Sequence, residues 1–585
     1  MAENPIPKIA PFHDPADVVV VGGGSAGCVM AARLTEDPSV RVVLLEAGAE
    51  YDQSGPNELT ELYGGKAVLR PKYYWPGLTG TTASPSRFPG GKPPRVSYKQ
   101  PRLLGGGSSV NGQVAFRGAP DDFDAWAKAG ARGWGWDDVL PYFIKLEHDL
   151  DFCGPLHGQD GPTYIRRTPR EEWDSVSLAV SDALVARGHQ YIDDMNGEFA
   201  AGHGAVPLNN DGELRSSVVR AYLTPAVRAR PNLRVLTEVE VTRIRTEGKR
   251  AVGVEATSEG AQVFVPARHV IVTAGAINSP ALLLRSGIGD GAVLAQLGVE
   301  VVADRPGVGR NLQNHPMTSV SAYTEPKGRR VRPQRRVFSY LRYSSGVEGC
   351  AAEDMVLSTG ARSMWHAIGQ RIVTLSPYVA MPYSTGTVSL ASADPAVNPV
   401  IDNNCLADER DLVRLREGFR FSAAVMLEDL YPKLVSMPFP THLSWRVEKL
   451  GKPTLFNDWF TRVGAAIMDS SSAARNFLLD KVVREGPTVA QVLADDKLLD
   501  EFLSKRVNLA WHHSCTARMG AEDDPEAVVD PSCAVIGLEG LYIADASVMP
   551  RITRTNLNLP TIMVAERAAD LIRARVRPGF SQGAV

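Results

Sequence analysis

Three glycines near the N-terminus have the spacing that binds the phosphates of a dinucleotide. Gly22, Gly24 and Gly27 form the pattern G-x-G-x-x-G. The first glycine permits a tight turn, the second lets the backbone approach a pyrophosphate, and the third lets a helix pack closely on a strand. A helix that begins at this turn offers free N–H groups and the positive end of its dipole to the phosphates. The pattern therefore predicts dinucleotide binding.

A carboxylate follows at the distance expected for a ribose contact. Glu46 lies 19 residues after Gly27, at the end of the next predicted strand. It can accept hydrogen bonds from ribose hydroxyls and would repel a 2′-phosphate, so NADP is disfavoured. The alternative interpretation is a glycine-rich turn followed by a solvated glutamate. The motif itself does not distinguish FAD from NAD.

Further along the chain, two polar segments have residue types suited to the same ligand. The run Gly105–Gly107 can bring backbone N–H groups close to a flat ring or a phosphate, although it is also compatible with a plain loop. Asn111 can hydrogen-bond to a ligand or cap a turn. Asp545 follows the apolar stretch 541–544 and can face a ligand or cap a helix.

These residues need a strand, a turn and a helix to position them, and the N-terminal sequence predicts that order. The valine run 18–21 is typical of a strand buried on both faces in a parallel sheet. Residues 28–34 predict a short helix, with Pro38 beyond its end, and 40–45 predict a second strand. Together they predict a βαβ unit of about 30 residues.

The rest of the chain gives weaker signals. Residues 50–100 are rich in Gly, Pro, Tyr and Trp and predict long loops. Further elements are expected at 126–147 (partly helical), 231–241, 251–256 and 263–273 (strands), 371–390 (antiparallel strands of a second domain), 408–427 and 490–504 (helices), and from Pro560 onward (the last helix).

Length and composition limit the class of protein. The 585 residues carry 63 Lys plus Arg against 66 Asp plus Glu, a formal net charge of −3. This balance argues against a dedicated nucleic-acid binder. The length predicts more than one domain, and the 44% hydrophobic fraction is ample for a core. No stretch approaches the roughly 20 apolar residues of a membrane span.

Cysteine usage predicts a reducing compartment. None of the six cysteines forms a C-x-x-C pair, so neither a metal site nor a disulfide scaffold is expected. Residues 1–16 are polar and interrupted by proline, unlike a signal peptide. A cytoplasmic location is expected. The cysteines are Cys28, Cys153, Cys350, Cys405, Cys515 and Cys533.

Several long motifs in a fixed order carry a family resemblance. They are RLLGGGSSVN (102–111), GAINSPALLLRSGIG (275–289), GVGRNLQNHP (307–316), HHSCTARM (512–519), GLYIADASVMP (540–550) and NLNLPT (556–561). With the N-terminal glycine motif, they make the chain resemble the glucose–methanol–choline (GMC) oxidoreductases almost from end to end. These are FAD-dependent alcohol oxidases and dehydrogenases.

The resemblance implies an α/β fold with two domains. A Rossmann-like FAD-binding domain would be assembled from three separate segments. An α+β substrate domain, built on an antiparallel sheet covered by helices, would use the two segments between them. The expected FAD segments are 1–150, 211–315 and 506–585, and the substrate segments are 151–210 and 316–505. The active site would lie where the domains meet, over the flavin ring.

The resemblance also implies which residues contact FAD. The expected contacts are Gly22, Gly24, Ser25, Ala26, Gly27, Glu46, Ala47, Arg102, Gly105, Gly106, Ser109, Asn111, Gly112, Val241, Ala274, Asp545, Ala546, Asn556, Pro560 and Thr561. No metal is expected.

Two details refine the expected cofactor site. Some relatives attach FAD covalently through a histidine just before the first signature, but residues 97–100 contain none, which predicts non-covalent FAD. A helix beginning at Pro560 would point its positive end at the pyrimidine edge of the flavin. That charge favours the anionic reduced flavin.

The resemblance implies a catalytic pair as well. A base that takes the hydroxyl proton drives hydride transfer from the alcohol carbon to flavin N5, and histidine suits this role near neutral pH. The matching positions are His512 as base and Asn556, which can donate to the substrate oxygen. His513 is the alternative base, but counting back from 518–520 favours His512. His315 is assigned to structure, as a loop anchor.

The expected activity is oxidation of an alcohol to an aldehyde or ketone, with electrons passed to oxygen or another acceptor. The alternatives are a non-redox or light-driven relative, such as a hydroxynitrile lyase or a fatty-acid photodecarboxylase, and an FAD-binding scaffold without turnover. An arginine cluster can attract an acidic substrate or partner, or form a solvated loop. Its members are Arg329, Arg330, Arg332, Arg335 and Arg336.

Overall fold

The computed structural model of the protein describes residues 15–62, 65–329, 338–441, 445–484 and 486–576. Its strands, in chain order, are β1 (Ala16–Val21), β2 (Val42–Leu45), β3 (Thr79–Ala83), β4 (Arg95–Ser97), β5 (Glu147–Asp149), β6 (Thr163–Ile165), β7 (Gly202–Ala205), β8 (Leu233–Leu236), β9 (Val239–Glu247), β10 (Arg250–Ser258), β11 (Ala261–Val272), β12 (Ile288–Gly289), β13 (Ala303–Asp304), β14 (Pro316–Met317), β15 (Ser319–Thr324), β16 (Phe338–Tyr343), β17 (Met355–Gly360), β18 (Ile372–Val379), β19 (Thr387–Ser389), β20 (Val400–Cys405), β21 (Val435–Thr441), β22 (Asn508–Leu509) and β23 (Leu541–Ile543).

The α-helices, again in chain order, are α1 (Ser25–Leu34), α2 (Gly106–Val110), α3 (Pro120–Lys128), α4 (Trp136–Leu146), α5 (Ser175–Ala186), α6 (Val218–Tyr222), α7 (Pro225–Arg228), α8 (Gly275–Arg285), α9 (Gly291–Gln296), α10 (Glu409–Ala424), α11 (Trp445–Gly451), α12 (Leu455–Ser470), α13 (Ser472–Leu478), α14 (Val489–Ala494), α15 (Asp496–Arg506) and α16 (Asn558–Val576). Among the described residues, no helix has the length and apolar character needed to cross a membrane.

The first sheet carries the dinucleotide motif. Its strand order is β8-β2-β1-β11-β10-β9, with β23 also paired to β11. Strands β8, β2, β1, β11 and β23 pair in parallel, whereas β9 and β10 extend the sheet in antiparallel fashion. All six residues of β1 are buried, as the valine run predicts. The expected Rossmann-like α/β architecture is confirmed.

A tight turn links β1 to α1 and fixes how closely the helix approaches the sheet. A Cβ atom at Gly27 would lie 1.9 Å from the carbonyl oxygen of Gly22, so only glycine permits this contact. Behind the helix, Arg33 of α1 pairs at 2.8 Å with the fully buried carboxylate of Glu566 of α16. Tyr222 Oη donates to the same carboxylate at 2.7 Å. This junction holds α1, α6 and α16 together.

The second large sheet is antiparallel and covered by helices, as expected for a substrate domain. Its order is β21-β15-β18-β17-β16-β7, and the short strands β14 and β22 pair with each other beside β18. Its core joins sheet residues such as Leu357 and Leu375 to Leu415 and Phe419 of α10. The division of the chain at 150, 210, 315 and 505 stays a prediction.

One expectation is wrong in the stretch 50–100, which is not only loops. Strands β3 and β4 lie there and join β19 and β20 in a four-stranded sheet. β3 pairs in parallel with β20, Gly80 opposite Ile401. β3 also pairs with β4, but β20 is more than 300 residues away, so much of what stabilises these strands is not local in the chain.

Smaller corrections concern helix boundaries. The segment 490–504 is two helices, because Asp495 ends α14 and its side chain caps α15. The last helix begins at Asn558, which makes Pro560 its third residue. The predicted strands of 371–390 belong to two different sheets.

Of the arginine cluster, Arg329 is described and the four members between 330 and 336 lie outside the described residues. Arg329 is only partly exposed and pairs with Asp469 at 2.9 Å. Its guanidinium lies 4.8 Å from the ring centre of Tyr323. These contacts favour a structural role for Arg329.

A buried ion cluster lies beside β5. Arg167 pairs with Asp149 at 2.8 Å, and His157 Nε2 lies 2.7 Å from a carboxylate oxygen of Asp194. Although burial alone lowers it, these carboxylates raise the pKa of His157 to about 10. With His157 protonated, three cations face the carboxylates of the cluster, and Asp151 at its edge also pairs with Arg167 at 3.5 Å. The members are Arg117, Glu147, Asp149, His157, Arg167 and Asp194.

Candidate active site

One cavity of about 460 Å³ joins the glycine motif to the predicted catalytic pair. It begins at the carboxyl ends of β1 and β2, where Val21 and Leu45 line it, as expected for a ligand site in a parallel sheet. It ends at His512 and Asn556. The predicted residues on its wall are Gly22, Gly24, Ser25, Ala26, Glu46, Ala47, Gly106, Asn111, Gly112, Val241, Ala274, His512, Asp545, Ala546, Asn556 and Thr561.

The glycine end of the cavity is a cradle of bare backbone. Gly24 caps α1 without a side-chain hydrogen bond, so the first N–H groups of the helix are free for a ligand. A Cβ at Gly106 would lie 2.8 Å from Gly24 Cα, whereas a Cβ at Gly107 or Gly112 meets nothing within 4 Å. The two glycine runs thus pack on each other and leave open space beside them.

The carboxylates of this end are held by backbone N–H groups. Glu46 accepts from Gly23 N at 2.8 Å and from Gly48 N at 2.7 Å. Burial raises its pKa. Asp545 accepts from Gly275 N at 2.8 Å and from Ser279 Oγ at 2.6 Å. Each is oriented at the cavity wall by these bonds.

At the other end, His512 sits between two side chains. Its Nε2 lies 2.9 Å from Asn556 Nδ2, and its Nδ1 lies 2.8 Å from His315 Nδ1. The backbone N–H of His512 donates to Asn314 Oδ1 at 2.9 Å. The preceding residue, Trp511, has a left-handed backbone with φ of 63°, a conformation uncommon for non-glycine residues.

His513 points to a different environment. Its ring packs 4.7 Å from that of Tyr98 and 5.9 Å from that of Trp511. Its Nε2 is buried and has no hydrogen-bond partner among the residues that the structure describes. Asn556 contacts His512 and not His513, so the geometry favours His512 for the chemistry.

Burial keeps these imidazoles neutral. It lowers the pKa of His512 to about 3 and that of His513 to about 3. It lowers the pKa of His315, which is completely buried, well below the ordinary value. A neutral imidazole has one free lone pair with which to take a proton.

Comparison with known proteins defines the family. The models of the GMC oxidoreductase family match residues 16–317 and 382–565. The chain belongs to the GMC oxidoreductase family. It is 39% identical over 566 residues to the 5-(hydroxymethyl)furfural oxidase of Methylovorus sp. (strain MP688), covering 95% of this chain and 98% of that protein. It is 34% identical to the oxygen-dependent choline dehydrogenase of Brucella ovis, covering 96% of each.

The fold of this GMC oxidoreductase agrees with solved structures. Pyridoxine 4-oxidase from Mesorbium loti superposes with a TM-score of 0.75 at 29% identity, covering 95% of this chain and 98% of that one. Formate oxidase superposes with a TM-score of 0.79 at 23% identity, which is evidence for the fold alone. The predicted family and fold are confirmed, and the protein is a flavin-dependent oxidoreductase.

The cavity of this GMC oxidoreductase fits FAD. An uncapped helix N-terminus and two glycine runs suit a pyrophosphate, and the open space beside Gly107 and Gly112 suits a flat ring. The free backbone N–H groups at the α1 N-terminus would hold the phosphates there.

Five predicted cofactor residues lie behind the cavity wall. Gly27 and Gly105 shape the turns, Gly105 with φ of 90°. Ser109 is buried, Arg102 forms an ion pair, and Pro560 lies within α16. These residues support the cavity instead of lining it.

Sequence reasoning missed other residues of the site. His315 was assigned to structure as a loop anchor, yet its ring contacts that of His512. Glu240, Lys99 and Trp511 line the cavity without any predicted role. His315 lies within the 307–316 motif, but its separation of 197 residues from His512 gives no sign that the two rings meet.

Proposed function

We propose that this GMC oxidoreductase oxidises the hydroxymethyl group of a neutral, flat aromatic alcohol to the aldehyde, using non-covalent FAD. The observation that carries the proposal is the pairing of His512 Nε2 with Asn556 Nδ2 at 2.9 Å on the wall of a cavity that continues to the dinucleotide motif. FAD, when bound, supplies the hydride acceptor.

The two side chains divide the work on the hydroxyl group. His512 Nε2 takes the proton from the alcohol oxygen, since the low pKa leaves this imidazole unprotonated at neutral pH. Asn556 donates a hydrogen bond to the same oxygen as negative charge develops on it. Both groups are oriented before the substrate arrives, His512 by its backbone bond to Asn314.

The charges of the cavity favour a neutral substrate. Its lining carboxylates among the described residues are Glu46, Glu240 and Asp545. Glu46 and Asp545 are bound to backbone N–H groups, and Glu240 pairs with Arg102 at 3.1 Å. None is left unpaired to form an ion pair with a cationic substrate.

Aromatic side chains favour a flat substrate. Tyr74, Trp75 and Trp511 line the cavity, and Trp511 is 39% exposed beside His512 in the chain. Such surfaces stack on planar rings. The relative of 39% identity is named for a hydroxymethylated furan, which agrees with this substrate class.

We further propose that oxygen reoxidises the flavin, in line with the oxidases among the relatives. Non-covalent attachment is supported by Lys99 and Gln100, which line the cavity from the segment where an attachment histidine would lie. Denaturing mass spectrometry should give the mass of the bare chain. The free cysteines, four of them buried, support the cytoplasm as location.

The test is anaerobic reduction of the flavin. Purified protein is mixed with furan and benzyl alcohols, aliphatic alcohols and choline, and the visible flavin band is followed. Bleaching by the aromatic alcohols first, and recovery in air, is the expected result. Faster bleaching by choline would overturn the substrate class. An unbleached flavin with every alcohol would point to a lyase or a light-driven enzyme instead.

Adjacent histidines provide the matched control. His512→Ala should keep the flavin and lose about 10²-fold or more in reduction rate, because the base is gone. His513→Ala removes an imidazole of equal size one residue away and should lose far less. Equal losses would refute the choice of base.

A further inference from the structure

We propose that His315 is a positioning residue that determines which nitrogen of His512 is free to take the substrate proton. The inference rests on the proposed role of His512 as base. It follows from a chain of three contacts, each of which fixes the direction of the next. The chain runs from the carbonyl oxygen of Thr553 through His315 and His512 to Asn556.

The first contact fixes the proton of His315. His315 Nε2 lies 3.1 Å from the carbonyl oxygen of Thr553. A carbonyl oxygen only accepts, so Nε2 carries the hydrogen. The ring is completely buried and stacks on Tyr378 with its centre 5.1 Å away, surroundings that favour the neutral form. Its Nδ1 is therefore a bare lone pair.

The second contact transmits this choice to the base. His315 Nδ1 lies 2.8 Å from His512 Nδ1. Since the nitrogen of His315 accepts, that of His512 must donate and carry the hydrogen. A neutral His512 then has its lone pair on Nε2, the nitrogen next to Asn556.

The third contact is compatible with a lone pair on His512 Nε2. Asn556 Nδ2, an amide nitrogen that only donates, lies 2.9 Å from His512 Nε2. The opposite amide orientation would set two acceptors against each other. All three bonds thus point in one direction, and every ring hydrogen has an acceptor.

The backbone explains why the two imidazoles meet. Strands β14 and β22 pair in antiparallel fashion, with Pro316 opposite Leu509. His315 immediately precedes β14, and residues 510–512 immediately follow β22. Ala510 N donates to the carbonyl oxygen of His315 at 3.1 Å. This pairing brings the start of one strand to the end of the other and places both rings on the same side.

The tautomer of His512 determines whether its Nε2 can accept the substrate proton. In the other tautomer, His512 would present an N–H at Nε2 and could not accept a proton there. With His315 in place, the O–H bond of the alcohol breaks, the N–H bond forms at Nε2, and the existing Nδ1–H bond remains where it was. No ring has to rotate or exchange a proton during the step.

Two substitutions at position 315 separate positioning from anchoring. In His315→Asn, the amide oxygen occupies the place of Nδ1 and can accept from His512, but the side chain no longer reaches Thr553. In His315→Gln, the amide N–H reaches Thr553, but no acceptor faces His512. We expect the Asn variant to keep at least a tenth of the anaerobic flavin-reduction rate, and the Gln variant to lose about 10²-fold or more.

A second readout does not depend on turnover. Nitrogen-15 NMR of histidine-labelled holoenzyme distinguishes Nδ1–H from Nε2–H rings, and His512→Ala assigns the His512 signals. We expect Nδ1–H in the wild type and in His315→Asn, and Nε2–H in His315→Gln. Unchanged His512 signals in the Gln variant, or a Gln variant at least as fast as the Asn variant, would overturn the proposal. If His512→Ala leaves flavin reduction intact, the proposed function fails, and the NMR comparison still tests the tautomer.

Discussion

The structure assigns different tasks to two neighbouring glycines of the dinucleotide motif, and a pair of alanine substitutions tests them. A Cβ at Gly27 would lie 1.9 Å from the Gly22 carbonyl oxygen and 2.8 Å from Thr273 Oγ1. A Cβ at Gly24 would meet only Gly106 Cα, at 4.0 Å, an ordinary contact. Gly24→Ala therefore acts as a matched control for Gly27→Ala within one turn.

The expected magnitudes follow from these distances. For Gly27→Ala, α1 must move by more than about 1 Å from β1, which costs about 1–3 kcal/mol of unfolding free energy, the range for an overpacked core. Gly24 has φ of −81° and ψ of −159°, which alanine adopts without strain. Gly24→Ala should change the stability of the apoprotein by less than about 0.5 kcal/mol.

For FAD binding, Gly24→Ala should have the direct effect and Gly27→Ala only an indirect one. A methyl group at Gly24 lies where the pyrophosphate must approach the backbone, so affinity should fall at least about tenfold, or about 1.4 kcal/mol. Gly27→Ala weakens binding only through the displaced helix.

The assays are denaturant unfolding of the FAD-free proteins, followed by circular dichroism, and titration with FAD, followed by flavin fluorescence. If Gly24→Ala destabilises the apoprotein as much as Gly27→Ala does, the packing argument is wrong. If it binds FAD as tightly as the wild type, the pyrophosphate does not lie on this turn.

Three further predictions concern buried charges. His157 is protonated up to about pH 10 in the folded state but only below about pH 6.5 in the unfolded state. Its contribution to stability is therefore complete below pH 6.5 and is lost as the pH rises through 10. Between pH 6 and pH 10, the unfolding free energy should fall less steeply in His157→Gln than in the wild type. Glu566→Gln breaks a fully buried pair and should cost about 3–5 kcal/mol in denaturant unfolding, whereas Arg462→Gln, whose side chain is 71% exposed, should cost less than about 0.5 kcal/mol. Asp545→Asn replaces one acceptor oxygen by a donor and should lower both the FAD content after purification and the unfolding free energy, the latter by about 1–3 kcal/mol.

Sequence patterns predict the parts of the fold in which neighbours in space are neighbours in the chain. The valine run of β1, the glycine turn and α1 form one local unit, and each residue type there follows from its own φ, burial or contact. Strand β3 was not predicted, because one of its two partner strands, β20, lies at 400–405 and the other, β4, has only three residues. The same holds for His315, because its partner in the site, His512, lies 197 residues later in the chain.

The family motifs predicted the residues that line the cavity better than those that support its wall from behind. Motifs place residues at the wall, and most predicted residues lie there. They do not separate Arg102, which reaches Glu240, from residues that face the ligand. The two-residue strands β14 and β22 are too short for any periodicity to mark, yet they bring the two histidines together.

The neutral imidazole of His315 affects the pKa of His512 differently from a carboxylate at the same position. A carboxylate at the position of His315 would also hold His512 with its Nδ1–H bound, but its charge would raise the pKa of His512 and protonate the base before substrate arrives. His315 orients the ring with a lone pair and adds no charge, so the pKa of His512 stays low and Nε2 stays unprotonated. The cost is weaker stabilisation of the imidazolium after the proton moves. Asn556 stabilises the negative charge that develops on the alcohol oxygen, whereas His315 keeps the base in the tautomer that can take the proton, so the two residues have complementary roles.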